Sequence, residues 1–262
     1  MAIDLDGLRA RADQAALCLD FDGTLAPIVD DPGEAAPLPG TVELLARLAT
    51  RFAAVALISG RPASFLAERV PAPGVAHVGL YGMEVVKDGQ VQVDPEVDPW
   101  REVVATALAD LAAHPTVTAS GAYLEDKELG VGVHLRRVDD PGRWDGPVRA
   151  AAEEVAGRHG LRIAPGKLVY ELRPPIERDK GDAVQRVVDD AGVRVLAMAG
   201  DDLGDLAAFA TVERLVRSGG DGLRIAVASD ESPSELLAAA DLVVQGPEGL
   251  REVLERLAQP GP

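Results

Sequence analysis

The sequence of 262 residues contains one cysteine and far fewer basic than acidic residues. A single cysteine, Cys18, excludes a disulfide framework and any metal site built from several thiolates. Lysine and arginine together number 26 against 43 aspartates and glutamates, which gives a formal net charge of −17 at pH 7. A field of this sign repels nucleic-acid backbones and anionic membrane surfaces, so we expect neither as a partner.

Long apolar runs are also missing. No uninterrupted apolar segment reaches the length of a membrane span. Residues 1–14 carry several charges without an apolar centre, which is not the pattern of a secretory signal. We therefore expect a soluble, cytoplasmic protein, and we expect it to act as a monomer.

The most informative stretch is AALCLDFDGTL at residues 15–25. Its short apolar run predicts a buried strand that delivers Asp20 and Asp22 to the edge of a sheet. If the strand stays extended through Asp22, both carboxylates address one small volume. Such a pair favours a bound cation or a shared proton, so Asp20 is suited to act as a nucleophile and Asp22 as a proton donor. Gly23 and Thr24 would let the backbone turn closely around an anionic substrate.

The rest of the chain alternates between helical and strand patterns. Helical spacing predicts a helix over residues 41–50, and apolar runs predict the strands 53–58, 193–199, 223–227 and 241–244. This alternation predicts a Rossmann-like α/β core with a parallel sheet. Ser59 follows the second strand, at the edge where ligands of such sheets collect.

A second domain is predicted after the acidic, proline-rich segment 94–99. We assign residues 1–98 and 174–262 to the core and residues 99–173 to an inserted α+β cap domain. Within the cap, the patterns predict two helices over a small antiparallel sheet. They include a strand over 116–119 and a helix over 147–159. Glu84, just before the cap, is expected to be solvated.

A second acid cluster, Gly200-Asp201-Asp202-Leu203-Gly204-Asp205, follows another apolar strand. Oxygen ligands suit Mg²⁺, which commonly takes one or two carboxylates together with water and phosphate. Asp20, the main-chain carbonyl of Asp22 and Asp201 would therefore suffice as protein ligands. We place Asp202 and Asp205 behind them, and leave open whether Asp205 also reaches the ion.

Lys180 begins a predicted helix. A cation is electrostatically unfavourable at that end of a helix, so its position indicates a nearby anion.

Three of these features resemble the haloacid-dehalogenase-like phosphohydrolases. The segment Asp20-Phe21-Asp22-Gly23-Thr24-Leu25 is similar to the first signature of that superfamily, and Ser59 and Lys180 are similar to the second and third. The resemblance implies that Ser59 binds phosphoryl oxygens and that Lys180 neutralises the nucleophile and the phosphate.

Longer segments resemble one family, the trehalose-6-phosphate phosphatases, in particular members of actinobacterial type, from about residue 17 to residue 250. They are LEDK at 124–127, HLR at 134–136, GKLVYELRP at 166–174, and the segments Ser59-Gly60-Arg61 and Gly200-Asp201-Asp202. The resemblance implies a Mg²⁺-dependent enzyme that hydrolyses trehalose 6-phosphate, a small sugar phosphate, through an aspartyl-phosphate intermediate. It also implies substrate contacts from Arg61, Glu125, Lys127, Arg136, Lys167 and Glu171.

One segment departs from the family pattern. Many relatives have Thr-Asp-Glu where this chain has Gly204-Asp205-Leu206, which leaves open how the substrate contact of that Glu is replaced. Three alternative functions remain: a phosphatase of another sugar phosphate, such as sucrose or glucosylglycerol phosphate; a phosphosugar mutase; and a non-catalytic sugar-phosphate sensor.

Overall fold

The computed structural model describes residues 3–87, 89–166, 168–230 and 232–259. The strands are β1 (Ala15–Leu19), β2 (Ala54–Ile58), β3 (Val75–Gly79), β4 (Glu84–Lys87), β5 (Gln90–Val93), β6 (Tyr123–Asp126), β7 (Val131–His134), β8 (Arg162–Gly166), β9 (Val169–Arg173), β10 (Val195–Gly200), β11 (Asp221–Ala228) and β12 (Leu242–Gln245). The helices are α1 (Leu5–Ala10), α2 (Thr41–Ala49), α3 (Ala63–Arg69), α4 (Arg101–Ala113), α5 (Pro115–Ser120), α6 (Pro141–His159), α7 (Lys180–Ala191), α8 (Asp205–Arg217), α9 (Ser234–Ala239) and α10 (Gly246–Leu257). None of the helices in these ranges is both long and apolar enough to cross a membrane.

The chain forms two compact units. One consists of Met1–Gln92 with Arg178–Pro262, and the other of Val93–Glu177. From the sequence, we predict the division after residues 98 and 173.

The first unit is built on an eight-stranded sheet with the order β12-β11-β10-β1-β2-β3-β4-β5. Neighbouring strands from β12 to β3 run parallel, and β4 pairs antiparallel with β3. The predicted Rossmann-like core with a parallel sheet is therefore confirmed.

Strand β1 lies at the centre of this sheet, between β10 and β2, and all five of its residues are buried. Leu17 and Leu19 pack into the apolar core on one face, whereas Ala16 and Cys18 pack into the core on the other. A strand covered on both faces needs an uninterrupted apolar run, which explains its sequence. Burial also raises the pKa of the Cys18 thiol to about 12.

The second unit contains an antiparallel sheet with the order β6-β7-β9-β8. Helices α4 and α6 pack against each other and against this sheet. Their shared core includes Leu111 and Val155 from the helices and Val131, Val133 and Leu172 from the strands. This arrangement is the predicted α+β layer.

Two elements of the second unit differ from the sequence prediction. The segment predicted as a strand over 116–119 is helix α5, because Pro115 occupies its first turn and the His114 ring accepts a hydrogen bond of 3.2 Å from the Thr116 amide. Helix α6 begins at Pro141, six residues before the predicted start, because Asp140 caps it by accepting from the Arg143 amide at 3.0 Å. At these two places, the local β-branched residues and prolines indicate the wrong type of element or the wrong helix start.

Candidate active site

A cluster of three aspartates lies where β1 and β10 end. These strands are parallel neighbours with Leu19 opposite Ala199, so the segments that follow them begin side by side. The amide of Asp20 continues the pairing by donating to the Ala199 carbonyl at 2.9 Å. As a result, Asp20, Asp201 and Asp205 each offer a carboxylate oxygen, and these oxygens lie within 4.8 Å of one another.

Two glycines permit this close packing. Gly23 has a left-handed backbone with φ +73°, and a Cβ there would lie 2.0 Å from Oδ2 of Asp201. A Cβ on Gly200 would lie 2.2 Å from Cγ of Asp205. Next to Gly23, the Thr24 hydroxyl donates a hydrogen bond of 3.1 Å to Oδ1 of Asp201. The turn after β1 therefore folds directly against the acid cluster that follows β10.

Lys180 is the cation at the centre of this cluster. The N-terminus of α7 is capped by Asp179, which accepts from the Asp182 amide at 3.0 Å. The buried Lys180 side chain is directed to the acids, with Nζ 2.9 Å from Asp20 Oδ1 and 2.7 Å from Asp205 Oδ1. The anion indicated by the position of this lysine is thus a pair of buried carboxylates.

Asp205 and Asp202 occupy different positions in the cluster. The Asp205 side chain is fully buried, and its Oδ2 accepts from the amides of Asp201 and Asp202 at 3.0 and 3.1 Å. The Asp202 side chain is 63% exposed and lies 4.0 Å from the Lys180 ammonium. Asp205 therefore helps to build the interior of the site, whereas Asp202 lies at its rim.

The cluster holds more negative than positive charge. Burial raises the pKa of Asp20 well above its usual range, and the charges of Asp205 and Asp201 raise it further against the opposing effect of Lys180. Burial and the charges of Asp205 and Asp202 raise the pKa of Asp201 to about 7. Burial by itself would lower the pKa of Lys180, but the surrounding carboxylates outweigh it and hold the pKa well above its ordinary value.

Asp22 faces a different cation. β1 ends at Leu19 instead of extending through Asp22, because the chain turns around the Phe21 carbonyl, which accepts from the amides of Leu25 and Ala26 at 2.9 Å each. The two oxygens of the Asp22 carboxylate accept from Arg61 Nε at 2.8 Å and Nη2 at 2.7 Å. Arg61, predicted as a substrate contact, is therefore a direct partner of the predicted proton donor.

Ser59 lies at the end of β2 and is 2% exposed. Its hydroxyl oxygen accepts a hydrogen bond of 3.2 Å from the Arg61 amide. Nearby, Glu84 is 3% exposed and accepts from the Ala63 amide at the start of α3. The expectation that Glu84 is solvated is therefore wrong. No local pattern marked it as buried, because its partner amide is 21 positions away.

The predicted cap residues form a polar cluster within the second unit. Glu125, Gly132 and Glu171 lie side by side on the strands β6, β7 and β9. Lys127 contacts Glu171, and its Nζ lies 3.7 Å from Oε2 of Glu125. The same Glu125 oxygen lies 2.9 Å from Nε2 of His134.

Two further residues, Arg136 and Lys167, are predicted to contact the substrate. Arg136 lies in the turn after β7. Lys167 lies outside the described residues.

Comparison with solved structures defines the class of the protein. A haloacid dehalogenase-like hydrolase from Bacteroides thetaiotaomicron superposes with a TM-score of 0.59 at 17% identity, covering 93% of this chain and 99% of that one. A structure described as a trehalose-6-phosphate phosphatase related protein superposes with a TM-score of 0.78 at 25% identity, covering 93% and 96%. The protein has the fold of the haloacid-dehalogenase-like hydrolases.

Comparison of sequences defines the family. Residues 18–245 match the model of the family described as trehalose-phosphatase. The trehalose-phosphate phosphatase of Mycobacterium leprae is 36% identical over 97% of this chain. This chain belongs to the trehalose-phosphatase family. It spans 59% of the length of the Mycobacterium leprae relative.

Proposed function

We propose that this protein is a Mg²⁺-dependent phosphatase that hydrolyses trehalose 6-phosphate to trehalose and phosphate. The observation that carries the proposal is the cluster of the buried Asp20, Lys180 and Asp205 with the half-buried Asp201, in a chain of the trehalose-phosphatase family. It combines a nucleophilic carboxylate, a fixed cation and a set of oxygen ligands at one edge of the sheet. The cytoplasmic location that we predict from the sequence remains a prediction.

In this proposal, Asp20 attacks phosphorus and forms an aspartyl-phosphate. Asp22 protonates the departing sugar oxygen and then activates the water that hydrolyses the intermediate. Ser59 and Lys180 hold the phosphoryl oxygens and orient the phosphorus for in-line attack. The 2.9 Å contact between Lys180 and Asp20 supports these roles, since it fixes the direction of the attacking carboxylate.

The donor set fits a hard divalent cation. Three carboxylate oxygens from Asp20, Asp201 and Asp205 lie close together. Their total negative charge is larger than the single positive charge of the Lys180 ammonium that contacts Asp205. We propose that Asp20, Asp201 and the main-chain carbonyl of Asp22 hold Mg²⁺, with Asp205 close behind. When bound, the ion supplies the positive charge that lets an anionic phosphate approach these carboxylates.

The direct test is phosphate release from trehalose 6-phosphate by the purified protein, with Mg²⁺ and with EDTA. We expect turnover that needs Mg²⁺, and we expect Asp20→Asn to abolish it. Asp190→Asn is the matched control, because Asp190 is an exposed aspartate near the end of α7. A panel of sucrose, glucosylglycerol and glucose phosphates tests the substrate. Equal turnover of several of them would contradict the assignment to trehalose 6-phosphate, and binding without turnover would contradict an enzymatic function.

We further propose that the polar cluster of Glu125, Lys127 and Glu171 contributes contacts to the sugar. These side chains offer carboxylate acceptors and an ammonium donor on one face of a sheet, which suits adjacent hydroxyl groups. Glu171→Gln should raise KM for trehalose 6-phosphate and leave hydrolysis of p-nitrophenyl phosphate unchanged. An equal loss on both substrates would show that the cluster acts only through stability.

A further inference from the structure

The Asp22 carboxylate is held by a residue from the loop after β2. Its two oxygens accept from Nε and Nη2 of Arg61 at 2.8 and 2.7 Å, so one edge of the guanidinium fixes the plane of the carboxylate. Two hydrogen bonds use two of about four acceptor positions on a carboxylate, and the others can exchange a proton with a substrate. The direction in which Asp22 transfers a proton therefore depends on the direction of the Arg61 side chain.

The main chain of Arg61 is fixed at both of its polar groups. Its amide donates to the Ser59 hydroxyl oxygen at 3.2 Å, and its carbonyl accepts from the Leu80 amide at 2.9 Å. An arginine side chain has several rotatable bonds beyond the main chain, so these two contacts do not by themselves fix the guanidinium. A contact along the side chain must direct it.

Phe65 in α3 supplies a contact of this kind. The guanidinium carbon of Arg61 lies over the Phe65 ring, 4.9 Å from the ring centre. Arginine stacks on aromatic faces through a cation–π interaction, which gives the planar guanidinium a defined position. The Arg61 side chain is only 11% exposed, so water screens this contact little. The Phe65 ring thus limits the positions from which Arg61 reaches Asp22.

The Phe65 ring is itself held in place. It packs edge-on against the Phe21 ring, with the ring centres 5.9 Å apart and the ring planes at 85°. Phe21 is fully buried and stands between Asp20 and Asp22 in the chain. Phe65 therefore contacts both sides of the ion pair, namely the guanidinium of Arg61 and the turn that carries Asp22.

We propose that Phe65 is a positioning residue that acts through Arg61 to hold the Asp22 carboxylate in its direction for proton transfer; this inference rests on the proposed phosphatase function. In the first step of that reaction, a proton moves from Asp22 to the departing oxygen as the bond from phosphorus to that oxygen breaks. A misdirected Asp22 therefore slows a substrate in proportion to how much its leaving group needs the proton.

The test measures release of the alcohol in a single turnover, with the enzyme in excess over the substrate. This isolates the first step, because the alcohol leaves before the aspartyl-phosphate is hydrolysed. The sugar oxygen of trehalose 6-phosphate is a poor leaving group without a proton, whereas p-nitrophenolate leaves without one. Phe65→Leu should lower the rate of trehalose release by about tenfold and change the rate of p-nitrophenol release by less than about twofold.

Two control variants share parts of this change. Phe52→Leu makes the same substitution in the same apolar core, where Phe52 is buried, and should lower the melting temperature without changing either rate. Arg69 also lies over the Phe65 ring, 5.3 Å from its centre, and donates to the Gly33 carbonyl. Arg69→Lys should leave both rates unchanged. Arg61→Lys loses the paired hydrogen bonds and should slow trehalose release at least as much as Phe65→Leu.

The double variant with Arg61→Lys and Phe65→Leu tests whether the ring acts through the guanidinium. If it does, the double variant releases trehalose no more slowly than Arg61→Lys alone, because both changes remove one shared interaction. Multiplied losses would overturn the proposal, as would unchanged trehalose release in Phe65→Leu or an equal loss with both substrates. Phe65→Met fills a similar volume without a ring, and it takes the place of Phe65→Leu if that variant does not fold.

The proposed function can fail separately from this inference. If the wild-type protein hydrolyses p-nitrophenyl phosphate and not trehalose 6-phosphate, the proposed substrate is wrong. Phenyl phosphate then replaces it in the test, because phenolate is a poorer leaving group than p-nitrophenolate. Phe65→Leu should still slow the release of phenol more than the release of p-nitrophenol, and equal effects on the two would overturn the role of Phe65.

Discussion

Lys180 and Asp205 form a buried ion pair with a hydrogen bond of 2.7 Å, and their side chains are 5% and 0% exposed. The two residues begin the neighbouring helices α7 and α8, which pack closely against each other. The pair therefore joins two helix starts at the edge of the sheet and gives Lys180 a fixed direction towards Asp20.

Removing Asp205 should destabilise the protein. Asp205→Ala removes one partner of the buried Lys180 ammonium and leaves the amides of Asp201 and Asp202 without their acceptor. We therefore expect the free energy of unfolding to fall by about 3 kcal/mol. Urea denaturation measures this. The exposed Asp190→Ala should change the same quantity by less than about 0.5 kcal/mol. Equal effects of the two substitutions would show that the ion pair contributes nothing to stability.

Gly23→Ala should strongly reduce activity because its Cβ would collide with Asp201. Gly40 provides a control for the backbone, since its φ is +83° and nothing lies within 4 Å of its Cβ position. Gly40→Ala should lose about 1 kcal/mol of stability and retain activity. Gly23→Ala should lose more than that, and phosphate release should fall by more than about a hundredfold, as is typical when a catalytic group is displaced. Similar activities in the two variants would contradict the importance of the close contact.

Addition of Mg²⁺ should raise the melting temperature. A ligand at 100 times its Kd adds about 2.7 kcal/mol of stability, which corresponds to about 5–10 °C for a chain of this size. EDTA should reverse the shift. Asp201→Asn removes one of the proposed ligands and should remove most of the shift, whereas Asp190→Asn should keep it. An undiminished shift in Asp201→Asn would place the ion elsewhere.

Protonation of His77 should destabilise the fold. This residue in β3 is 6% exposed, its Nε2 lies 2.7 Å from the Val70 carbonyl, and burial lowers its pKa below the ordinary 6.5. The unfolded chain therefore binds the proton more readily, so stability is present above pH 6.5 and falls as the pH drops below that value.

The variant His77→Gln isolates this effect, because glutamine can still donate to the carbonyl but does not titrate. The difference in free energy of unfolding between the wild-type protein and the variant should shrink from pH 7.5 to pH 5.5 in urea titrations. Parallel pH profiles would rule out His77 as the source.

Much of the core was predictable because its strands are buried on both faces. An apolar run such as residues 15–19 has few alternatives to a central strand of a parallel sheet, and the acids that follow it must then lie at the sheet edge. For the same reason, Asp20, Asp201 and Lys180 could be expected to meet although they are far apart in the chain.

The partners of individual side chains were not predictable. The pairing of Arg61 with Asp22 and the burial of Glu84 depend on where whole segments pack, and residue spacing does not contain this information. The same holds for the difference between Asp205 and Asp202, which are three positions apart and differ completely in burial. In helix α5, capping overrode the strand preference of Thr116 and Val117.

The position of Cys18 in the central strand provides an intrinsic probe of conformation. Its thiol is fully buried between two layers of side chains, and its raised pKa keeps it in the unreactive protonated form. Alkylating reagents can modify it only after the middle of the sheet has separated. Because the chain has no other cysteine, the rate of labelling reports the opening of the first unit without an engineered label.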